Sequence, residues 1–332
     1  MDNLAVTFMG KDLVELHDID MPRPPAGSVV IETSRTLIST GTEGIALQRK
    51  FSPGTHWDGW VKYPFHPGYC GVGRVVELGE GVKNVAVGDR VSVWSGHQQY
   101  GVAPAVRAVR VPEGVSDEEA AWCPMAEIAQ HGFRKADVQL GETVVIVGMG
   151  ILGQLTVQYA RLAGAGEIIA IDPAALRLEM ARKNGATRAL AVGAGEAEEA
   201  VKEITGGAMA DVLFDITGHP LVFAAAHQLL GDNGRMVLTG DTGSPEQQHM
   251  TSQFIQKNLT VMGAHQRTAA KSAWHHARMG ALFLKYLQRG QMNVKDLITH
   301  RFPVRKAPEA YALLMARREE AMGVILDFAG LE

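Results

Sequence analysis

The sequence predicts an α/β protein in which a largely β region precedes a doubly wound parallel sheet, and three observations carry that prediction. Short β-like runs separated by turn residues fill the first part of the chain, and from Ala126 strand and helix patterns alternate. A buried-strand pattern, Val144-Val145-Ile146-Val147, also runs straight into Gly148-Met149-Gly150-Ile151-Leu152-Gly153 and an amphipathic helix. The early β-like runs are 4–8, 13–16, 28–33, 72–78, 90–94 and 108–111. Pro22-Arg23-Pro24-Pro25-Ala26-Gly27, Gly79-Glu80-Gly81 and Gly88-Asp89 interrupt them, the spacing of a compact β domain or partial barrel. A helix near 128–135 leads into the strand 143–147. Further strands are expected at 167–171, 188–191, 211–215, 235–239 and 260–263, with helices near 174–184, 197–204 and 221–230. A helix over 271–288, a strand at 298–303, a helix around 308–317 and a last strand at 323–328 close the chain, and this tail is expected to return to the first domain.

Composition bounds the function classes. A chain of 332 residues suggests two domains, and 46% apolar with 20% charged residues describes a soluble globular protein. The net charge of −4 comes from 32 basic and 36 acidic residues mixed along the chain, so nothing points to a nucleic-acid partner. Two cysteines, Cys70 and Cys123, exclude a disulfide scaffold and a multi-cysteine zinc lobe. No charge-free apolar stretch of about 20 residues is present, so no membrane partner is expected, and the N-terminus lacks a basic-then-apolar signal. A reducing, cytoplasmic setting is the expectation.

The glycine turn carries the chemistry. Gly148 permits a tight exit from the strand, Gly150 lets a pyrophosphate approach the backbone, and Gly153 lets the helix pack on the strand. The unpaired amides and positive end of that helix, with Met149, Ile151 and Leu152 completing the turn, then face the phosphates. Asp172 ends the next apolar run, about 20 residues on, where an acid accepts hydrogen bonds from a ribose. This pattern predicts binding of NAD or NADP.

With these residues in view, the chain resembles the medium-chain dehydrogenase/reductase superfamily, the alcohol dehydrogenase-like proteins. The markers are Pro67-Gly68-Tyr69-Cys70-Gly71-Val72-Gly73, Leu78-Gly79-Glu80-Gly81-Val82, Val87-Gly88-Asp89-Arg90-Val91, the glycine turn, and Leu297-Ile298-Thr299-His300-Arg301-Phe302. The resemblance implies a GroES-like β domain over 1–125, a Rossmann domain over 126–290, a return to the first domain over 291–332, and an active cleft between the domains. Zinc-dependent members carry a Cys-Gly-Thr-Asp-like stretch and a Gly-His-Glu triplet. This chain has Thr40-Gly41-Thr42-Glu43 and Gly68-Tyr69-Cys70 instead, and the family's third ligand falls at Cys123 before Pro124. Because a catalytic zinc needs three protein ligands, ordinarily Cys, His, Asp or Glu, zinc is not expected. Among subgroups, the short motifs are nearest to the bacteriochlorophyllide hydroxyethyl dehydrogenases.

Without a metal, polar side chains must receive the hydroxyl proton and stabilise alkoxide character. Thr42 aligns with the family's proton-relay hydroxyl, Tyr69 stands at its histidine-ligand position as an acid, and Thr40 is a second donor. His66 lies two residues before Gly68 and is a candidate base. For each the plain structural reading stays open: turn-amide partners for the threonines, a half-buried aromatic for Tyr69, a surface histidine for His66. Glu43 reads as an ion-pair partner. The aromatic stretch 51–65 reads as a lid over a bulky substrate or as an ordinary packed loop.

Asp172 repels a 2′-phosphate, and by the resemblance Arg177 contacts the same ribose, so NAD is favoured and NADP is the alternative. Thr217-Gly218, Thr239-Gly240 and Gly263-Ala264-His265 close successive strands and belong by family position near ribose and nicotinamide. The expected activity is hydride transfer between a nicotinamide and a secondary alcohol or ketone. The alternatives are a zinc-dependent polyol or alcohol dehydrogenase with atypical ligands and a non-catalytic NAD(P)-binding sensor. Relatives pair Rossmann domains edge to edge, so a homodimer or homotetramer is expected.

Overall fold

The computed structural model describes residues 3–271 and 273–331. The strands are β1 (Asn3–Gly10), β2 (Leu13–Ile19), β3 (Ser28–Leu37), β4 (Gly71–Leu78), β5 (Arg90–Val93), β6 (Tyr100–Pro104), β7 (Val109–Arg110), β8 (Thr143–Val147), β9 (Glu167–Ile171), β10 (Arg188–Leu190), β11 (Ala210–Asp215), β12 (Leu230–Leu238), β13 (Thr260–Gly263), β14 (Ile298–Pro303) and β15 (Gly323–Asp327). The chain divides into two units. One holds Met1–Lys50, His56–Glu127 and Ser272–Glu332, the other Phe51–Thr55 and Ile128–Lys271.

In the first unit, β1 and β2 form an antiparallel hairpin. The larger sheet runs β14-β15-β3-β4-β5-β7, with β6 also paired to β3. The C-terminal strand β15 pairs antiparallel with β3, so the tail and the N-terminal strands share one sheet. Val29, Ile31, Val75, Val91, Val93 and Ala103 form a buried cluster on one face of this sheet, and Val30 and Ser92 between them are buried on the other.

In the second unit the sheet order is β10-β9-β8-β11-β12-β13 and every pairing is parallel. This is a doubly wound order, with the reversal between β8 and β11. Its central strands β8, β9 and β11 read as nearly unbroken apolar runs because both faces are buried. Val144 and Ile146 of β8 join one core with Ile168, Ala170 and Phe214, while Val145 and Val147 join the other with Ile169, Ile171 and Leu213.

Several elements depart from the sequence pattern. The helix expected near 128–135 begins earlier, at Cys123 (Cys123–Ala136), because Pro124 sits in its first turn, where the missing amide costs nothing. β6 was hidden by its Gly101 and Pro104; it pairs with β3 alone, and a proline is tolerated at such an edge. The run 108–111 keeps only two strand residues, after a 3₁₀ turn over Ala105–Arg107. Of the helix expected over 271–288, the regular part is His276–Gln288, and Ser272 lies outside the described residues. Short helices at Thr42–Gln48 and His56–Trp60 had no sequence signal of their own, whereas Asp117–Ala120, not among the expected helices, is started by a capping box between Ser116 and Glu119 that is legible in the sequence. Among the described residues no helix is long and apolar enough to cross a membrane.

Candidate functional site

The glycine turn leaves β8 through Gly148 at φ +95°, a conformation that L side chains rarely adopt. A Cβ on Gly153 would lie 2.0 Å from the Gly148 carbonyl oxygen, so the helix Ile151–Ala163 packs as closely as it does only with glycine there. Gly150 is different. A Cβ there would meet no protein atom within 4 Å, and its φ of −73° suits any residue, so the space in front of it is open. The first amides of the helix have no intrahelical acceptor and point out of its positive end. Open backbone, unpaired amides and a helix dipole fit a pyrophosphate.

Asp172 ends β9 and is buried. Its Oδ2 accepts from the Met149 amide at 2.8 Å and its Oδ1 from the Ala174 amide at 2.8 Å, while Arg177 Nη1 stands 3.7 Å from Oδ2. The acid therefore braces the turn before it meets any ribose, a role the spacing rule does not reveal. Each carboxylate oxygen retains acceptor capacity for a hydroxyl. Thr217 packs against the turn from β11: its Cγ2 lies 2.9 Å from the place of a Gly148 Cβ, and its amide and hydroxyl both donate to Asp215 Oδ1. Gly218 has φ +61°, and Gly240 approaches so closely that a Cβ would sit 2.4 Å from the Gly218 nitrogen. Thr239 Oγ1 is buried and has no hydrogen-bond partner among the described residues. At the end of β13, the Ala264 amide donates to Leu238 oxygen at 2.9 Å, while His265 is exposed and its Nδ1 accepts from the Arg267 amide at 3.2 Å.

In the first unit the side chains converge on Tyr69. Its hydroxyl lies 2.6 Å from Ser39 Oγ, 3.5 Å from Thr42 Oγ1 and 3.7 Å from Met125 Sδ. Burial pushes its phenol far above the ordinary tyrosine range, and the Ser39 and Thr42 hydroxyls offset this only in part. Tyr69 thus stays protonated and serves as a hydrogen-bond donor. Thr40 is half-buried at the turn into the Thr42–Gln48 helix. His66 is exposed, and its Nδ1 pairs with Thr7 Oγ1 at 3.2 Å rather than with the Tyr69 group.

Beneath Tyr69, Glu43 is buried in a knot of donors. It accepts from the Ser39 amide at 2.7 Å, from His97 Nε2 at 3.0 Å and from the Tyr311 hydroxyl; His97 Nδ1 is 2.7 Å from Thr36 Oγ1. The Ser39 that touches Tyr69 is fixed from below by the same residue. A second carboxylate, Glu127, lies on the other side of Trp94, whose ring stacks on Tyr69 at 5.3 Å between centroids. Glu127 Oε2 accepts from Trp94 Nε1 at 2.8 Å and from His276 Nδ1 at 3.0 Å, and Oε1 accepts from Cys123 Sγ at 3.6 Å. Burial raises its pKa above the ordinary glutamate value. Ser39, Trp94, Glu127 and His276 were not singled out as site residues, because they come from separate segments and share no spacing signal.

The donor set does not fit a zinc ion. Thr40 and Tyr69 supply hydroxyls where a zinc site ordinarily has Cys, His, Asp or Glu. Among the described residues no three His, Cys, Asp or Glu side chains are grouped so as to hold a metal. In the aromatic stretch, Trp57 is buried against Trp60, which packs edge-on against Phe65.

Comparison with known proteins matches residues 28–114 to the alcohol dehydrogenase GroES-like domain and residues 152–279 to the zinc-binding dehydrogenase family. An L-threonine 3-dehydrogenase from Paraburkholderia phytofirmans is 29% identical, with 94% of this chain and 95% of that protein covered. Among solved structures, an oxidoreductase/dehydrogenase of unknown specificity from Escherichia coli superposes with a TM-score of 0.83 at 19% identity, covering 98% and 99% of the two chains. A short chain alcohol dehydrogenase from the same species, complexed with NADH, gives 0.82 at 21% identity over 98% and 99%.

Proposed function

The chain belongs to the alcohol dehydrogenase-like, or medium-chain dehydrogenase/reductase, superfamily and is an oxidoreductase of that type; from that premise we propose that it interconverts a secondary alcohol and its ketone with NAD and without catalytic zinc. The observation that carries the zinc-free reading is the Tyr69 hydroxyl, held by Ser39 and Thr42 where zinc-dependent relatives place a ligand. The matched zinc-binding dehydrogenase segment, 152–279, contains none of Thr40, Tyr69 and Cys123, so its description does not bear on them.

The dinucleotide would be held by the Gly148–Gly153 backbone, Asp172 and Arg177, with Thr217, Gly218, Thr239, Gly240, Gly263, Ala264 and His265 at the neighbouring strand ends. When bound, it supplies the two-electron acceptor. The buried Asp172 carboxylate disfavours a 2′-phosphate, and Arg177 is already turned toward it, which supports NAD over NADP. Tyr69 donates to the substrate oxygen as negative charge develops, and the Ser39 and Thr42 hydroxyls orient that donor. The same reading has the chain pair as a homodimer through an edge strand of the parallel sheet, which ends in β10 on one side and β13 on the other.

The experiment is turnover of secondary alcohols and ketones with NAD(H), followed at the nicotinamide absorbance, before and after exhaustive chelation with metal analysis. Unchanged turnover in metal-free protein is expected. Activity that disappears with stoichiometric zinc and returns with it would overturn the zinc-free reading.

A further inference from the structure

His276 opens the helix His276–Gln288 and is buried, with 2% of its surface exposed. Its Nδ1 lies 3.0 Å from Glu127 Oε2. A carboxylate only accepts, so Nδ1 carries the ring proton and Nε2 keeps its lone pair. That Nε2 finds no hydrogen-bond partner among the described residues. A buried acceptor left without a donor is costly and calls for a partner, whether an ordered water or a ligand group.

The surroundings are built for this arrangement. Glu127 is held by three donors from three segments, so its carboxylate cannot turn away from the imidazole. Gly280, one turn along the helix from His276, makes room: a Cβ there would lie 2.7 Å from Cys123 Sγ and 2.8 Å from Glu127 Oε1. The His276 ring meets Trp94 edge-on at 5.4 Å, and Trp94 stacks on Tyr69. Imidazole and phenol thus flank one indole. Around the pair the other titratable groups are Cys123, Cys70 and Tyr69, all held in their neutral forms by burial.

We propose that His276 is the proton acceptor of the reaction, its Nε2 taking a hydrogen bond from the substrate hydroxyl while Glu127 orients and charge-balances the ring. The substrate O–H bond breaks, an N–H bond forms at Nε2, and the electron pair stays on the alkoxide oxygen. The imidazolium that results faces the Glu127 carboxylate. Tyr69 cannot fill this role, since its phenol is held protonated, and His66 is exposed and turned to Thr7. The inference rests on the dehydrogenase reading above.

The test uses the full-length protein and His276→Asn, whose side-chain amide keeps a donor toward Glu127 and lacks Nε2. Melting temperature and NADH binding are expected to stay at wild-type values. Alcohol oxidation is expected to fall about 100-fold or more, and the acid limb of its kcat–pH profile to vanish. Glu127→Gln is expected to fall less and to shift that limb to lower pH. An acid limb intact in His276→Asn overturns the proposal. A second measurement does not depend on turnover: ¹⁵N-imidazole NMR of the wild type with NADH and 2,2,2-trifluoroethanol, the His276 signals assigned by their loss in His276→Asn. A shift of Nε2 on adding the alcohol supports the proposal. An Nε2 signal blind to the alcohol, as when an ordered water alone occupies it, overturns it even if no alcohol is oxidised. Absence of turnover with a responsive Nε2 would count against the dehydrogenase reading and leave the hydroxyl site standing.

Discussion

At the glycine turn the groups offered to a ligand are backbone amides of consecutive residues, whereas around Tyr69 the groups are side chains from four separate segments: Ser39 and Thr42 near one helix start, Trp94 after β5, Met125 and Glu127 on the Cys123–Ala136 helix, His276 on a late helix. The two regions therefore fail in different ways. The turn tolerates changes of side chain that leave the backbone free and fails when a single Cβ is added. The Tyr69 group tolerates no loss of a polar atom, because each is buried against another and an orphaned partner carries a desolvation cost.

The largest effect is expected at Glu43. Glu43→Ala leaves the Ser39 amide, His97 and the Tyr311 hydroxyl without an acceptor, at about 1–3 kcal/mol each. Calorimetry should find it destabilised by more than about 3 kcal/mol; a near-native melting temperature would show that the knot is dispensable. Gly153→Ala comes next. Its Cβ meets backbone that cannot rotate aside, so a loss toward the upper end of the ~1–3 kcal/mol of overpacking is expected, together with NADH binding. Tyr69→Phe takes the partner from Ser39 Oγ, so a loss of about 1–3 kcal/mol is expected, with NADH binding nearly unchanged while kcat drops about 100-fold. If kcat holds, the phenol only fills space.

Gly150→Ala sharpens the contrast within the turn itself. With nothing near its Cβ in the protein, its melting temperature should match wild type, while NADH affinity falls by about tenfold as the methyl meets the ligand, roughly 1.4 kcal/mol. Equal affinity would move the pyrophosphate elsewhere. The smallest effect concerns Asp215, whose carboxyl burial raises above its ordinary value of 3.8. The folded state then binds a proton more tightly than the unfolded chain, so this group's contribution to stability falls as pH rises from 3.8 through the folded value. Asp215→Asn keeps the Oδ1 acceptor for Thr217 and removes that dependence. Its melting temperature should gain on wild type as the pH is raised from about 4 to 7, and parallel profiles would refute the assignment.

Legibility followed the same division. Strands β8, β9 and β11 could be read because burial on both faces makes them nearly continuous apolar runs, and the glycine pattern is local in sequence because a turn is local in space. Asp172 was legible as an acid at the right spacing, but its hold on the Met149 amide was not, since spacing says nothing about which donor arrives first. In the other region, Thr42 and Tyr69 were reached through motif alignment, and the structure adds Ser39 to them. His66 was chosen by its nearness in sequence to Gly68 and turns instead to Thr7.

What the sequence by itself determined is whatever depends on neighbouring residues: period, turn chemistry, the order of strands and helices, and the absence of a usual zinc-ligand set at Thr40 and Tyr69. Only the tertiary structure decided which carboxylates are braced and which polar atoms are left open. Glu43 meets Tyr311 across 268 residues, and Glu127 meets His276 across 149. Such pairs are selected by burial, which forces each polar group to find a partner in space, and no periodicity along the chain records that choice.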